Sequence, residues 1–145
     1  ADEFGNVLFS RQERSRLEET QPKSKISFGA MYRLKKLGGN LRVTRYGEVS
    51  TKDAANPLLD ENFSAKIVTD INISYQVLKT LQVTIGANNL FDVYPDKMKQ
   101  IDYPKPDNLG PFLDNSSFGR FIYSRNITQF GFNGGYYYLN LSLNF

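Results

Sequence analysis

The chain has 145 residues, of which 40% are hydrophobic and 14% aromatic, with a formal net charge of +3 and a mean hydropathy of −0.45. It contains no Cys and no His, which excludes disulfides, a thiolate nucleophile, a Cys/His zinc site and a Ser-His-Asp triad. The basic residues are scattered rather than gathered in a dense run, so nucleic-acid binding is not expected. No apolar run approaches the 18 or so residues of a transmembrane helix.

The stretch over residues 11–23 is charged and has Leu17 as its only aliphatic side chain. Because a helix here would have no apolar face to bury, we expect a solvated loop. An alternating strand follows over residues 24–36, and Gly38-Gly39-Asn40 predicts a tight turn. The return strand is predicted over residues 41–50.

Arg45 interrupts the pattern of this return strand. It falls on the apolar face, together with Leu41 and Val43. If that face met lipid near the middle of a bilayer, an Arg there would cost about 2–4 kcal/mol. Two interpretations follow: a bulge near Gly47 turns the side chain away, or this end of the strand lies at a membrane interface.

Three more strands are predicted further along the chain. A loop over residues 51–64 leads into a strand over residues 65–77, and a short turn at Leu78-Lys79-Thr80 leads into a strand over residues 81–91. A long irregular stretch, residues 93–134, precedes the final strand over residues 136–145. The apolar side of that final strand is Tyr137, Leu139, Leu141, Leu143 and Phe145.

The connections between these strands alternate in length. Short turns near residues 38 and 79 are interleaved with long connections at residues 11–23, 51–64 and 93–134. Transmembrane barrels have short turns on one side and long loops on the other. A compact soluble domain seldom holds an irregular connection of about forty residues. The sequence therefore predicts an all-β, antiparallel up-and-down meander from a transmembrane β-barrel.

Two segments resemble the TonB-dependent outer-membrane receptors. Leu81 to Pro95, with Asn88-Asn89-Leu90-Phe91-Asp92 inside it, is similar to the "lxlgxxNLFDxxY" segment near the C-terminus of that family. Gln129 to Phe145 resembles the strand that closes the family's barrel. The resemblance covers about residues 20–145. It implies the last five or six strands of a 22-stranded barrel plugged by an N-terminal domain.

The resemblance also implies a function and partners. It implies uptake of a scarce nutrient, of the siderophore, cobalamin, haem or glycan class, across the outer membrane of a Gram-negative bacterium. The implied partners are outer-membrane lipid, the remaining strands and plug domain, the TonB energy-transducing complex and the barrel assembly machinery. No cofactor is implied. The signal read by the assembly machinery corresponds to Tyr137, Leu139, Leu141, Leu143 and Phe145.

The five motif residues Asn88, Asn89, Leu90, Phe91 and Asp92 also have a physical explanation independent of the family. Asn and Asp side chains bond to nearby backbone and turn the chain at the end of a strand. Leu90 and Phe91 would anchor that turn at a membrane boundary. We therefore expect these residues to be structural rather than ligand-binding.

The sequence offers no catalytic or metal site, so we do not expect an enzyme. The aspartates of the long stretch, Asp102, Asp107 and Asp114, lack the spacing of a loop that wraps calcium. Charged residues on the polar strand faces could form a relay or a substrate path, but we expect them to be solvated or paired in a barrel lumen: Arg42, Glu48, Lys66 and Asp70.

The long stretch is the candidate for ligand binding. It mixes flat aromatic surfaces with cations where a ligand from outside would arrive. The competing interpretation is that these aromatics pack the loop onto itself and its neighbours. A soluble all-β ligand- or carbohydrate-binding module that uses the same side chains is the alternative function. The candidates are Tyr103, Phe112, Phe118, Arg120, Phe121, Tyr123 and Arg125.

Overall fold

The computed structural model describes residues 10–54, 56–98, 121–124, 127 and 129–144. The described residues divide into two compact units. Those within 25–46, 66–94 and 133–145 form the sheet unit, and those within 1–24, 47–65 and 95–132 form the connector unit. The elements in chain order are α1 (Arg11–Glu18), β1 (Lys25–Leu34), β2 (Leu37–Tyr46), β3 (Val49–Thr51), a 3-10 helix (Pro57–Leu59), β4 (Glu61–Phe63), β5 (Lys66–Gln76), β6 (Leu81–Asn88) and β7 (Tyr136–Leu143).

The sheet unit is a single antiparallel sheet with the strand order β1-β2-β5-β6-β7. Its strands are in chain order, with long connections between β2 and β5 and between β6 and β7. The predicted antiparallel, mostly β architecture is therefore confirmed. Within the described ranges β1 and β7 each pair on one side only, so the sheet is open.

The register of the sheet places the alternating apolar residues of all five strands on one face. Partners in an antiparallel pair point to the same side, so a chain of partners defines a row across the sheet. One such row is Tyr32, Gly39, Ile73, Ile85 and Leu139. We call the side of the sheet that contains this row the apolar face, and the opposite side the polar face.

Arg45 lies on the apolar face, opposite Ile26 on one side and Ile67 on the other. The β1–β2 register is unbroken from Lys25 to Leu34, so no bulge turns the Arg45 side chain away. Arg45 is instead the last residue but one of β2, in the end row of the face. Of the two interpretations from sequence, the bulge is wrong, and the location of this strand end at a membrane interface stays a prediction.

The tight turn between β1 and β2 lies at Lys35 and Lys36, so the prediction of a turn at Gly38-Gly39-Asn40 is wrong. Lys35 has a φ of 50°, and Leu34 pairs directly with Leu37. The glycines belong to the interior of β2. A turn at the glycines would break the pairing of apolar residues between β1 and β2. The stabilisation from that pairing outweighs the local preference of glycine and asparagine for turns.

The return strand predicted over residues 41–50 ends at Tyr46. Val49–Thr51 forms a separate short strand, β3, which pairs with β4. The loop predicted over residues 51–64 therefore contains regular structure. Val49 and Phe63 are both almost fully buried, at 3% and 2% exposure, and they are register partners. Glu48 lies between β2 and β3, so its expected place on a polar strand face is also wrong.

The stretch predicted as a solvated loop over residues 11–23 contains the helix α1. Leu17 is 73% exposed, so the helix indeed buries no apolar side chain. Local and polar interactions hold it instead: the Ser10 hydroxyl accepts from the Glu13 backbone N–H, and Glu13 pairs with Arg16 one turn later. Because these contacts are polar, the spacing of apolar residues in the sequence does not predict the helix.

The remaining predicted strands are observed with shorter bounds. Residues 65–77 correspond to β5, and the turn at Leu78-Lys79-Thr80 is confirmed. The strand predicted over residues 81–91 ends at Asn88, because Asn89 takes a left-handed φ of 51°. Most of the stretch 93–134 lies outside the described residues, as does Phe145.

The position of the β1–β2 turn can be tested by substitution. Lys35→Gly should raise the free energy of unfolding by about 0.5–1 kcal/mol, because glycine adopts a positive φ without side-chain strain. At Gly39 an added Cβ would meet only the Asn72 carbonyl oxygen, at 3.7 Å, so Gly39→Ala should be neutral or stabilising. Urea unfolding in detergent, followed by circular dichroism, measures both. A loss above about 1 kcal/mol for Gly39→Ala would contradict the register.

Candidate functional site

The apolar face of the sheet is the largest chemical feature of the described structure. Thirteen of its large strand side chains are exposed, with fractions from 40% at Leu37 to 66% at Phe28, while Ala87 and Thr69 on the same face are buried. Burying one such side chain stabilises a protein by about 1.5–3 kcal/mol, so a soluble protein seldom leaves so many uncovered. The exposed large residues of the face are Ile26, Phe28, Tyr32, Leu34, Leu37, Ile67, Ile73, Tyr75, Ile85, Tyr137, Leu139, Leu141 and Leu143.

A shallow depression of about 530 Å³ lies on this face. Its lining is almost entirely apolar and comes from β5, β6 and the beginning of β7, with Ile71, Ile73 and Val83 among the contributors. The residues of the lining that carry a polar side-chain group are Asn72, Tyr75 and Tyr137. The depression is therefore suited chiefly to hydrocarbon.

The polar face is held by hydrogen bonds between neighbouring strands. The Arg42 guanidinium donates to Asp70 Oδ2 from Nε at 3.0 Å and from Nη2 at 2.8 Å. Ser27 and Thr44 share a hydroxyl contact of 3.1 Å. Arg42 and Asp70 are thus paired, as predicted. The two faces of one sheet therefore differ sharply in chemistry.

Asn89 fixes the turn that ends β6. Its Oδ1 accepts from the Val93 backbone N–H at 2.9 Å, and its Nδ2 donates to the Val93 carbonyl at 2.8 Å. The side chain thus bonds the backbone four residues on, as the sequence predicts for an Asn at a strand end. Its own backbone N–H donates to Asp70 Oδ1 at 2.9 Å. Asp70 therefore joins the turn to the Arg42 pair, a link that sequence reasoning missed.

Asp92 connects the same turn to the start of β7. Its Oδ1 accepts from the Gly135 backbone N–H at 2.7 Å. Gly134 has a φ of 74°, a conformation that glycine adopts readily and other residues resist. The Tyr137 hydroxyl donates to the Leu90 carbonyl at 3.1 Å. The motif residues from Asn89 to Asp92 thus tie β5, β6 and β7 together through the backbone, while Phe91 remains 69% exposed.

The connector unit is held by ion pairs between α1 and the segment from β3 to β4. Arg11 binds both carboxylate oxygens of Asp60 and lowers the pKa of that carboxyl below its ordinary range. Lys52, together with the Ser50 hydroxyl, donates to Glu19 and lowers the pKa of Glu19. These groups lie near the surface, and their partners are already satisfied. They form a structural clamp rather than a reactive centre.

Ser15 and Gln129 are two buried polar residues that sequence reasoning missed. Ser15 is 2% exposed, and its hydroxyl accepts from the Lys52 backbone N–H at 3.1 Å. Gln129 is 4% exposed and donates from Nε2 to the Gly47 carbonyl at 2.7 Å and to the Ser64 carbonyl at 3.1 Å. Each bond joins segments distant in the chain, so no local sequence signal could have revealed it.

Only two of the seven predicted ligand-binding residues lie within the described residues. Phe121 is 39% exposed. Tyr123 is partly buried and stacks on Phe132, with ring centroids 6.1 Å apart and an angle of 20° between the rings. Tyr123 thus packs onto another aromatic residue of the same long stretch. For this residue the contact supports packing within the loop rather than ligand binding. The other five lie outside the described residues: Tyr103, Phe112, Phe118, Arg120 and Arg125.

Among the described residues, no helix is long and apolar enough to cross a membrane. Over the same ranges, no three or more His, Cys, Asp or Glu side chains gather as they would around a metal ion.

Comparison of the chain with protein-family models, curated proteins and solved structures finds no match in any of the three. The function of the chain is therefore inferred from its own sequence and geometry.

The role of Asn89 can be separated from that of its neighbour. Asn89→Ala should lower the free energy of unfolding by about 2–3 kcal/mol, because it removes two hydrogen bonds and strains the left-handed backbone. Asn89→Gly should recover about 1 kcal/mol of this loss by relieving the strain alone. Asn88→Ala, at an exposed position of β6, is the control and should cost less than about 0.5 kcal/mol. Equal losses at both positions would contradict this account.

The clamp of the connector unit should loosen in acid. Because folding lowers the pKa of Glu19 and of Asp60, their stabilisation is complete at neutral pH and is lost as the pH falls below about 4. Hydrogen-exchange protection of the Glu19 and Thr20 amides, corrected for intrinsic exchange rates, should fall over that range.

Substitutions identify the groups responsible for this acid response. In E19Q/D60N the protection should be low already at neutral pH and nearly independent of pH. Glu18 is exposed on the same helix, so E18Q should keep the response of the unmodified chain. A response that persists in E19Q/D60N would show that other carboxyl groups cause it.

Proposed function

We propose that the chain is the barrel-closing, C-terminal segment of a TonB-dependent outer-membrane receptor. The observation that carries the proposal is the exposed apolar face across five strands, with a hydrogen-bonded polar face behind it. In a transmembrane barrel, residues facing lipid and residues facing the lumen alternate along every strand. The chain is then not an enzyme, and its apolar face is covered by outer-membrane lipid of a Gram-negative bacterium.

The connections of the sheet support the same proposal. The turns after β1 and after β5 are short, whereas the chain leaves the sheet for 19 residues between Tyr46 and Lys66. A second long connection joins Asn88 to Tyr136. Long connections thus alternate with short turns, as they do between the outer loops and periplasmic turns of barrels. The resemblance of Asn88-Asn89-Leu90-Phe91-Asp92 and of the final strand to the receptor family narrows the class of barrel.

The two edges of the sheet also fit a segment of a larger barrel. Within the described part of the chain, β1 and β7 present unpaired backbone groups on their outer sides. An isolated sheet with such edges tends to pair with other strands. In the proposed receptor these edges pair with the remaining barrel strands, which enclose the plug domain. The TonB complex and the barrel assembly machinery are the further partners of that receptor.

The proposed cargo is a scarce nutrient of the siderophore, cobalamin, haem or glycan class. The charged pair Arg42 and Asp70 then faces the lumen. Of the candidate ligand contacts in the long connection, Phe121 is the described residue that remains exposed. Motif residues Asn89 and Asp92 position strands rather than cargo in this proposal, because both side-chain polar atoms of Asn89 and one carboxylate oxygen of Asp92 bind backbone groups.

A soluble all-β binding module is the second candidate. The depression on the apolar face favours it, because a pocket lined by Ile73, Val83 and Ile85 suits an apolar ligand. In that protein the face is covered by a ligand or by another apolar surface rather than by lipid. The two candidates differ in what a charge on the apolar face does to the protein.

One pair of substitutions tests the receptor proposal. Ile85 lies on the apolar face and is 63% exposed, whereas its neighbour Thr84 lies on the polar face. An Arg facing lipid near the bilayer midplane costs about 2–4 kcal/mol. In the protein that carries this chain, Ile85→Arg should therefore deplete the outer-membrane band that shifts its gel mobility on heating. Thr84→Arg should leave that band intact.

The same pair identifies the alternative. In a soluble module without its ligand this face meets water, where an exposed side chain tolerates Arg within about 0.5 kcal/mol, so either substitution should leave the fold intact. Recovery of the unmodified protein in the soluble fraction, without a heat-dependent shift, would contradict the receptor proposal. Ligand-binding assays comparing Ile85→Arg with Thr84→Arg would then be the next step.

A further inference from the structure

The two short turns lie together at one end of the sheet and carry positive charge. Gln76 joins them: its backbone N–H donates to the Lys36 carbonyl at 2.9 Å, and its Nε2 donates to the Lys79 carbonyl at 3.3 Å. All three lysines of the two turns are exposed. We call the following six residues the turn rim: Leu34, Lys35, Lys36, Leu37, Leu78 and Lys79.

The charge of the sheet unit is strongly unbalanced. It contains eight Lys and Arg but only two acidic residues, Asp70 and Asp92, so its side chains sum to +6 while the whole chain has +3. Neither acidic residue lies in a short turn. Asp70 is bound by Arg42, and Asp92 follows the opposite end of β6. The turn rim therefore presents ammonium groups with no carboxylate of its own.

Apolar side chains accompany each cation of the turn rim. Leu34 is 53% exposed and Leu37 is 40% exposed on either side of Lys35 and Lys36, and Leu78 beside Lys79 is 58% exposed. Leucine beside lysine suits the boundary of a bilayer, where a lysine stem lies along apolar chains and its ammonium reaches the headgroups.

We propose that the turn rim binds the surface of a bilayer that contains anionic glycerophospholipid. The lysine ammonium groups contact lipid phosphates, and the leucines enter the boundary of the acyl chains. This inference rests on the proposed function, because it requires the apolar face next to the turn rim to lie against acyl chains. Charge complementarity selects the partner. An anionic membrane surface attracts the three lysine ammonium groups, whereas a neutral surface does not.

The experiment measures partition of the full chain between water and preformed vesicles. One set of vesicles is phosphatidylcholine alone, and the other mixes it with phosphatidylglycerol. The unmodified chain should prefer the anionic vesicles by roughly 100-fold at low salt, as expected for three lysines near a charged surface. High salt should reduce that preference. The variant K35Q/K36Q/K79Q should lose it while keeping its binding to neutral vesicles.

A second triple variant separates position from total charge. R14Q/K23Q/K97Q removes three exposed cations of the connector unit and changes the net charge from +3 to 0, as the first variant does. It should keep the preference for anionic vesicles. Equal losses in both triple variants would overturn the inference, because total charge would then explain the binding.

The outcomes also distinguish this inference from the proposed function. If the unmodified chain binds both kinds of vesicle equally, the turn rim does not recognise anionic lipid, but the apolar face still meets a bilayer. If it binds neither kind and stays soluble and monodisperse without detergent, both the inference and the receptor proposal are overturned.

Discussion

The register of β2 with β1 and β5 is the constraint on which the rest of the structure depends. It pairs Leu41 with Ala30 and Ile71, and every second residue then falls into an apolar row. A one-residue slip of β2 would turn its apolar side chains to the other face and place Arg42 on the apolar face. The two-residue turn at Lys35 and Lys36 fixes this register, because Leu34 pairs directly with Leu37.

Polar contacts fix the rest of the chain where apolar ones are missing. In the sheet unit, Asp70 accepts from both Arg42 and the Asn89 backbone, so one carboxylate joins β2, β5 and the end of β6. In the connector unit, Arg11 and Glu19 hold α1 through Asp60 and Lys52. Charge-assisted hydrogen bonds are stronger than neutral ones, and in the connector unit they supplement a small group of buried apolar residues, Val49, Leu59, Phe63 and Met98.

The sequence predicted those features that depend on local periodicity or on a single residue's turn chemistry. The alternation of β7 and the turn at Asn89 are of this kind, because period two and an Asn beside a strand end are visible locally. The position of the β1–β2 turn was not predictable in the same way, because pairing across the sheet overrode Gly38 and Gly39. Likewise α1 lacked an apolar stripe, and its anchors Asp60 and Lys52 lie more than thirty residues away.

The central claim is that the apolar face of the sheet meets lipid and the polar face meets water. The chain contains no Cys, so single cysteines along β7 can each carry a nitroxide in the protein reconstituted into a bilayer. The rate at which the nitroxide collides with oxygen should be high at Tyr137, Leu139 and Leu141. Its rate of collision with a water-soluble nickel chelate should be high at Tyr138 and Asn140. Access of the chelate to every position, or a pattern without period two, would contradict the account.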